Sequence, residues 1–204
     1  MGNASSIQSC LPSEDMSQLC DASGLTSDEI EVSFKYFGEH WRNEGLLSGK
    51  QVDVGKSLRE TMVSLDSFTA DPNVYTNSLL MVLLPAFCID KKLSSVELCR
   101  LLGTTRPDTG GKTIDAKASA LFKAIASKDG QVTEKELARF YKRMLNGSYT
   151  DQELVQNAKT QIRRFSRNIE PYTLNNQQFV AFCSTETNKP AFLLQMTMNI
   201  NLDR

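Results

Sequence analysis

Histidine and paired cysteines are scarce in this 204-residue sequence, which has one histidine, His40, and five cysteines without a CxxC pair. Zinc sites built on several histidines therefore cannot form, and an odd cysteine count suits free thiols better than a disulfide framework. Any Ser/His/Asp arrangement has to use His40. Its neighbours Glu39 and Trp41 place His40 on a predicted helix face, where we interpret it as structural, and we expect no enzymatic activity.

Long apolar runs and an excess of one charge are also missing. The longest apolar run, residues 79–89, has eleven residues and includes Pro85, whereas a helix that crosses a bilayer needs about 20. Lys and Arg number 23 against 24 Asp and Glu, for a net charge of -1. An overall basic protein is excluded, and we expect no nucleic-acid partner.

The amino terminus carries the sharpest local pattern. Residues 1–6, MGNASS, fit the N-myristoylation pattern, in which Gly2 becomes the terminal residue and carries the acyl amide. One acyl chain attaches a protein to a membrane only reversibly, so stable attachment needs a second signal. Residues 1–34 contain no Lys or Arg. The candidate second signal is palmitate on Cys10, with Cys20 as the second choice and unmodified thiols as the alternative.

A six-residue pattern recurs four times in the rest of the chain: an apolar residue, then Ser, Thr or Asn, two free positions, Glu or Gln, and another apolar residue. Each copy fits a capping box, which marks the start of a helix. Apolar residues at helical spacing precede the copies. The predicted unit is therefore a helix, a short loop and a capped helix. The copies are residues 47–52, 93–98, 132–137 and 174–179.

Four such units behind a myristoylation motif resemble the EF-hand superfamily, most closely the neuronal calcium sensor and calcineurin B-like proteins. The resemblance implies an all-α fold with two lobes of paired EF-hand-like helix-loop-helix units and short inter-loop β ribbons. In each ribbon, the first residue of one six-residue copy pairs with the first residue of the neighbouring copy. This implies pairs of Leu47 with Leu93 and of Val132 with Leu174. The implied division is a flexible acylated segment at 1–24, helix-loop-helix pairs at 25–102 and 114–185, a linker at 103–113 and an apolar tail at 186–204.

Calcium ligands are scarce in three of the four loops that the resemblance implies. A calcium loop supplies oxygen at positions 1, 3, 5 and 12, with Gly at position 6. The six-residue copies fix where each implied loop begins. The first loop begins at His40 and has Arg42 at a position where the ion needs an oxygen ligand. The second loop begins at Ala86. The fourth, from Arg167, has no carboxylate at its ligand positions. We expect no calcium binding by the fourth loop.

The third loop is the one candidate ion site. It keeps the turn glycine, Gly130, and offers Ser127, Asp129 and Glu136 as candidate calcium ligands, although Ile125 stands at the first ligand position. Calcium is coordinated by six to eight oxygen atoms, and the side chains of this loop supply few of them. The alternative interpretation of Glu136 is a helix cap. Calcium at this site is the one cofactor considered.

The resemblance implies a membrane-tethered, non-enzymatic regulatory or scaffolding protein on the cytoplasmic face of a membrane, peripheral and lipid-anchored. It would bind an amphipathic helix of a protein target through an apolar groove, largely without calcium. A calcium sensor acting through the third loop is the alternative, and an enzyme is the third hypothesis. The candidate groove residues are Phe34, Phe37, Trp41, Phe140, Met144, Phe192 and Met196.

Two further segments have open interpretations. Lys159, Arg163, Arg164 and Arg167 crowd one predicted helix, either as a solvated face or as a surface for anionic lipid or a partner. The tail over residues 191–202 is too apolar to be left in solvent. We expect it to dock, in its own groove or on a partner.

Overall fold

A computed structural model describes residues 13–47, 61–105, 112–145, 147, 149–166 and 172–184. Within these ranges the chain is mostly helical and has one two-stranded sheet, which confirms the predicted all-α class. The elements are α1 (Ser13–Ser23), α2 (Ser27–Leu47), β1 (Met62–Ser64), α3 (Leu65–Thr69), α4 (Pro72–Tyr75), α5 (Ser78–Leu83), a 3-10 helix (Leu84–Phe87), β2 (Lys92–Ser94), α6 (Ser95–Thr104), α7 (Lys112–Ile125), α8 (Glu134–Met144), α9 (Asp151–Phe165) and α10 (Asn176–Ser184).

These elements form two compact units. Helix α5 contacts α7 and α8, so the short segment 78–86 belongs to the second unit, although the sequence analysis placed it within the first pair. Of the described residues, unit 1 contains 13–47, 61–77 and 87–105, and unit 2 contains 78–86, 112–145, 147, 149–166 and 172–184.

Unit 1 is built around α2. Glu29 accepts a hydrogen bond from the Thr26 backbone N–H at 2.7 Å, and Thr26 Oγ1 accepts one from the Glu29 N–H at 3.4 Å, which together cap the start of this helix. Its apolar stripe, Ile30, Phe34 and Phe37, is buried. Helices α1 and α6 pack against α2 and against each other, and burial of these faces stabilises the unit.

The sheet of unit 1 corrects one predicted pairing. Strands β1 and β2 are antiparallel, and Leu93 pairs with Val63 instead of Leu47. Helix α2 continues to Leu47, so this residue is helical and cannot join a strand. Both Val63 and Leu93 are fully buried, which fixes the register because a slip by one residue would turn them to the other face.

Unit 2 contains two helix-loop-helix segments, α7 with α8 and α9 with α10. Their loops meet at an antiparallel bridge between Val132 and Leu174, the pairing that the resemblance implies. The backbone N–H of each residue donates to the carbonyl of the other, at 2.9 and 3.0 Å. The core beside this bridge includes the fully buried Phe179 and Phe182.

Candidate functional site

Three of the four predicted caps start helices. Ser94 caps α6 by accepting from the Glu97 N–H at 3.2 Å, and Thr133 caps α8 in a complete capping box with Glu136. At α10, Asn175 and Gln178 each accept the other's backbone N–H, both at 2.9 Å. These caps place each loop directly before a helix.

The first predicted cap, residues 48–52, lies outside the described residues. In unit 1 a different residue, Ser64, caps the helix after the β1 strand and accepts from the Ser67 N–H at 3.3 Å. The sequence search missed this cap because Ser67 stands where the pattern requires Glu or Gln. A search that accepted any polar residue at that position would have found residues 63–68.

The first loop that the resemblance implies does not begin at His40. His40 and Arg42, its expected ligand positions 1 and 3, lie inside α2. A continuous helix spreads consecutive side chains around its axis, so these residues do not converge on one ion. The correction follows from the length of α2, which the sequence analysis ended too early.

The second loop closes as a tight two-residue turn. Asp90 and Lys91 have φ angles of 49° and 59°, and the backbones of Ile89 and Lys92 exchange hydrogen bonds at 2.8 and 2.9 Å. Positive φ at both central residues is the geometry of a type I′ hairpin turn. Lys91 therefore occupies a backbone conformation that glycine adopts more readily.

The third loop keeps the turn expected from Gly130. This glycine has a φ of 67°, and its N–H donates to the Ser127 carbonyl at 3.0 Å. The Ser127 N–H in turn donates to the Gln131 carbonyl at 2.8 Å. Asp129 is exposed to solvent. The loop is thus closed by backbone hydrogen bonds.

Glu136 is engaged in the cap of α8. One carboxylate oxygen, Oε2, accepts from the Thr133 hydroxyl and from the Thr133 backbone N–H at 3.2 Å, and Oε1 accepts from Arg139 Nη1 at 3.2 Å. Burial opposes ionisation, yet the hydrogen bonds from Thr133 hold the pKa of Glu136 below its usual range. Within the described residues, no group of three His, Cys, Asp or Glu side chains is arranged to hold a metal ion.

A buried polar cluster joins α2 to the short helices α3 and α4. His40 Nε2 lies 3.2 Å from Asp71 Oδ2, and the Tyr36 hydroxyl donates to the same oxygen at 2.8 Å. Asp71 Oδ1 accepts from the Asn73 N–H at 2.8 Å, and His40 Nδ1 lies 3.5 Å from Ser67 Oγ. A tautomer protonated at Nε2 satisfies both contacts of the ring.

Charge in this cluster resides on Asp71. Burial lowers the pKa of His40 against the opposing effect of Asp71. For Asp71 itself, burial is outweighed by the hydrogen bonds from Asn73 and Tyr36, which lower its pKa. Burial and the adjacent carboxylate raise the pKa of Tyr36. The ring is therefore neutral and the carboxylate ionised near neutral pH.

An open cavity of about 580 Å³ adjoins the cluster and is lined in part by His40, Ser67 and Asp71. The contacts run from Ser67 to His40 to Asp71, which is the sequence of contacts between a nucleophile, a general base and an orienting acid in hydrolases. However, the Leu65 N–H already donates to the Lys91 carbonyl, and the Ser67 N–H donates to Ser64. Neither is available to stabilise an oxyanion. His40 thus links α2 to Ser67 and Asp71.

The predicted groove residues differ in burial. Phe34, Phe37 and Phe140 are 1%, 0% and 2% exposed, so they are core side chains in this conformation. Trp41 and Met144 are half-buried. Phe192 and Met196, together with the tail from 186 onwards, lie outside the described residues. A partner helix could reach the three phenylalanines only if their unit opened.

The lipidation candidates Gly2 and Cys10 lie outside the described residues. Cys20 is half-buried, with its sulfur 3.7 Å from Ser27 Oγ. Burial raises the pKa of Cys99 and of Cys183 to about 12, which disfavours the thiolate, the nucleophilic form, at neutral pH.

Cationic side chains cluster on α8. Lys135, Arg139 and Lys142 line a cavity of about 220 Å³ whose other wall comes from α9. The predicted basic stripe on α9 is divided, because Arg163 is half-buried and stacks 4.5 Å over the Tyr172 ring, whereas Arg164 is exposed. The sequence analysis did not single out α8, where Glu134 and Glu136 interrupt the run of basic residues.

Among the described residues, no helix is long and apolar enough to cross a membrane. Neither a protein-family model nor a curated protein matches the chain.

Proposed function

We propose that this chain is an N-myristoylated, EF-hand-like regulatory or scaffolding protein that works at the cytoplasmic face of a membrane largely without calcium. Its target would be an amphipathic helix of another protein, bound through apolar side chains of one unit. The acyl anchor on Gly2 remains an inference from the sequence pattern.

The observation that supports the proposal most directly is the bridge between Val132 and Leu174 in unit 2. It joins two loops, each of which leads into a helix capped in the predicted register. An antiparallel contact between the loops of two helix-loop-helix segments is what the EF-hand resemblance implies. In unit 1, Val63 and Leu93 form a similar antiparallel pair, although the expected partner of Leu93 was Leu47, which precedes Val63 in the chain.

Independence from calcium is supported by the contacts of Glu136. A calcium loop uses the acid at its last position as a bidentate ligand. Here one oxygen is held by Thr133 and the other by Arg139, so an ion would have to compete with the cap and with the cation. Asp129 would be the one other carboxylate at a ligand position, because Glu134 stands at position 10 of the loop.

The turn at Gly130 favours the alternative, a calcium sensor acting through the third loop. Its positive φ is the conformation that the sharp turn of such a loop requires. Calorimetric titration of the full chain with calcium separates the two functions, with Glu136→Gln as the matched variant because glutamine also serves in a capping box.

We expect no saturable heat and no calcium-specific rise in melting temperature for either protein. Micromolar binding by the unmodified chain that is lost in Glu136→Gln would establish the sensor and refute calcium independence. Magnesium at the same concentration controls for general ionic effects.

The membrane part of the proposal is tested by intact mass and fractionation of protein from cells. We expect a myristoyl adduct, and we expect Gly2→Ala to shift the protein from the membrane to the soluble fraction because the acyl amide can no longer form. Unmodified Gly2 in such protein would remove the anchor from the proposal.

A further inference from the structure

Helix α8 presents a row of cations to solvent. Lys135, Arg139 and Lys142 follow one another at intervals of four and three residues, which places them on one side of the helix. All three are exposed, as is the adjacent Arg143. Together these four residues are called the α8 cationic face.

The environment of this face is only partly neutralised. Arg139 pairs with Glu136 at 3.2 Å, and Lys142 pairs with Asp151 at 2.8 Å. Lys135 and Arg143 form no ion pair with the described residues. Two of the four positive charges are therefore uncompensated by direct pairing.

One exposed apolar side chain of α9 lies beside the α8 cationic face. Val155, which is 37% exposed, lines the same cavity as Lys135, Arg139 and Lys142, and the neighbouring Leu154 is buried. Long basic side chains beside a small exposed apolar area suit the boundary between lipid headgroups and acyl chains.

The two units differ in charge. The described part of unit 2 has 11 Lys and Arg against six Asp and Glu, whereas that of unit 1 has five against 12. An anionic surface should therefore attract unit 2 and repel unit 1.

We propose that the α8 cationic face binds the anionic headgroups of the membrane that the acyl chain enters. This rests on the acylation proposed above, because one myristoyl chain needs a second signal and residues 1–34 supply no basic one. Each cation near such a surface strengthens binding roughly fivefold, about 1 kcal/mol. The two unpaired cations would together contribute about thirtyfold.

The test is sedimentation of enzymatically myristoylated full-length protein with lipid vesicles. One set of vesicles is phosphatidylcholine, and the other contains one third phosphatidylserine. The variant Lys135→Gln with Arg143→Gln removes two charges without breaking either ion pair. The matched control, Lys92→Gln with Lys128→Gln, removes two exposed charges that lie on neither α8 nor α9 and do not line the cavity beside the face.

We expect the unmodified chain to prefer the phosphatidylserine vesicles, and the face variant to lose about thirtyfold in affinity for them. Its affinity for phosphatidylcholine and its helical circular dichroism should not change. High salt should reduce the preference because it screens exposed charges.

Equal binding of the unmodified chain to both vesicles would overturn the proposal, as would an equal loss in the control variant. Failure of the acylation proposal is recognised separately. In that case protein from cells carries no myristoyl adduct. The enzymatically acylated protein still shows whether the α8 cationic face binds anionic vesicles.

Discussion

The cap of α8 makes a sharp prediction about Thr133. Its hydroxyl accepts the Lys135 N–H at 3.2 Å and donates to Glu136, while Glu136 accepts the Thr133 N–H. Thr133→Ala removes the hydroxyl and leaves the backbone contact to Glu136. Thr133→Ser keeps the hydroxyl and serves as the control.

The expected loss follows from these contacts. Replacing a Thr cap by Ala costs about 1 kcal/mol, within a range of about 0.5 to 2. Glu136 retains Arg139 and the Thr133 N–H, and its side chain is 12% exposed, so the loss should stay near the middle of that range. For a chain of this length, about 1 kcal/mol lowers the melting temperature by about 2–4 °C. Thr133→Ser should change it by less than half as much.

The cap also predicts a pH dependence. Because the folded-state pKa of Glu136 is depressed, its stabilisation is fully present above the unfolded value of about 4.3 and is lost as pH falls through the folded value. Thr133→Ala removes one of the hydrogen bonds that lower this pKa. The difference in unfolding free energy between the two proteins should therefore shrink on acidification below about pH 4.

Urea denaturation followed by far-ultraviolet circular dichroism, from pH 7 to pH 3, measures both effects. Other carboxylates titrate in this range, but they are common to the two proteins and cancel in the difference. An equal loss in Thr133→Ser, or a difference that does not depend on pH, would refute the assignment of Glu136 to the cap.

Two further predictions concern glycine geometry in unit 1. A Cβ at Gly103 of α6 would overlap the Ser23 carbonyl of α1, so Gly103→Ala should lower the unfolding free energy by up to about 3 kcal/mol. Thr104→Ala, at the neighbouring position, is the control. An unchanged melting temperature of Gly103→Ala would show that α1 does not pack against α6 at this point. Lys91→Gly relieves a positive φ, worth about 1–2 kcal/mol, against an entropic cost of about 0.5–1 kcal/mol for glycine, so we expect a net stabilisation of about 0.5–1 kcal/mol. Lys92→Gly, within β2, should not stabilise. Destabilisation by Lys91→Gly would contradict the turn.

The features that could be predicted from the sequence are local ones. The predicted capping residues Ser94, Thr133 and Asn175 all start helices in the structure. A cap depends on residues three apart along the chain, so its signal lies within one short window. The bridge between Val132 and Leu174 is different, because it was expected only from the EF-hand resemblance, in which the apolar residues directly before two neighbouring caps pair.

The features that were missed depend on distant residues. Leu93 pairs with Val63 and not with the expected Leu47, because Leu47 is still part of α2. The cap at Ser64 was missed because Ser67 stands where the pattern requires Glu or Gln. The cluster around His40 needs Asp71, which is 31 residues away. No window of the sequence contains both residues in a recognisable pattern, and only the packing of α3 and α4 against α2 brings them together.

Net charge shows the same contrast at a larger scale. A value of -1 for the whole chain excludes an overall basic protein, but it is a sum in which the acidic charge of unit 1 largely cancels the basic charge of unit 2. Electrostatic attraction to a surface falls off within a Debye length, about 8 Å in physiological salt, which is shorter than a helix of the length of α8. The charge that matters to a membrane is therefore that of one exposed helix face, and on α8 four cations outnumber the two acids that pair with them.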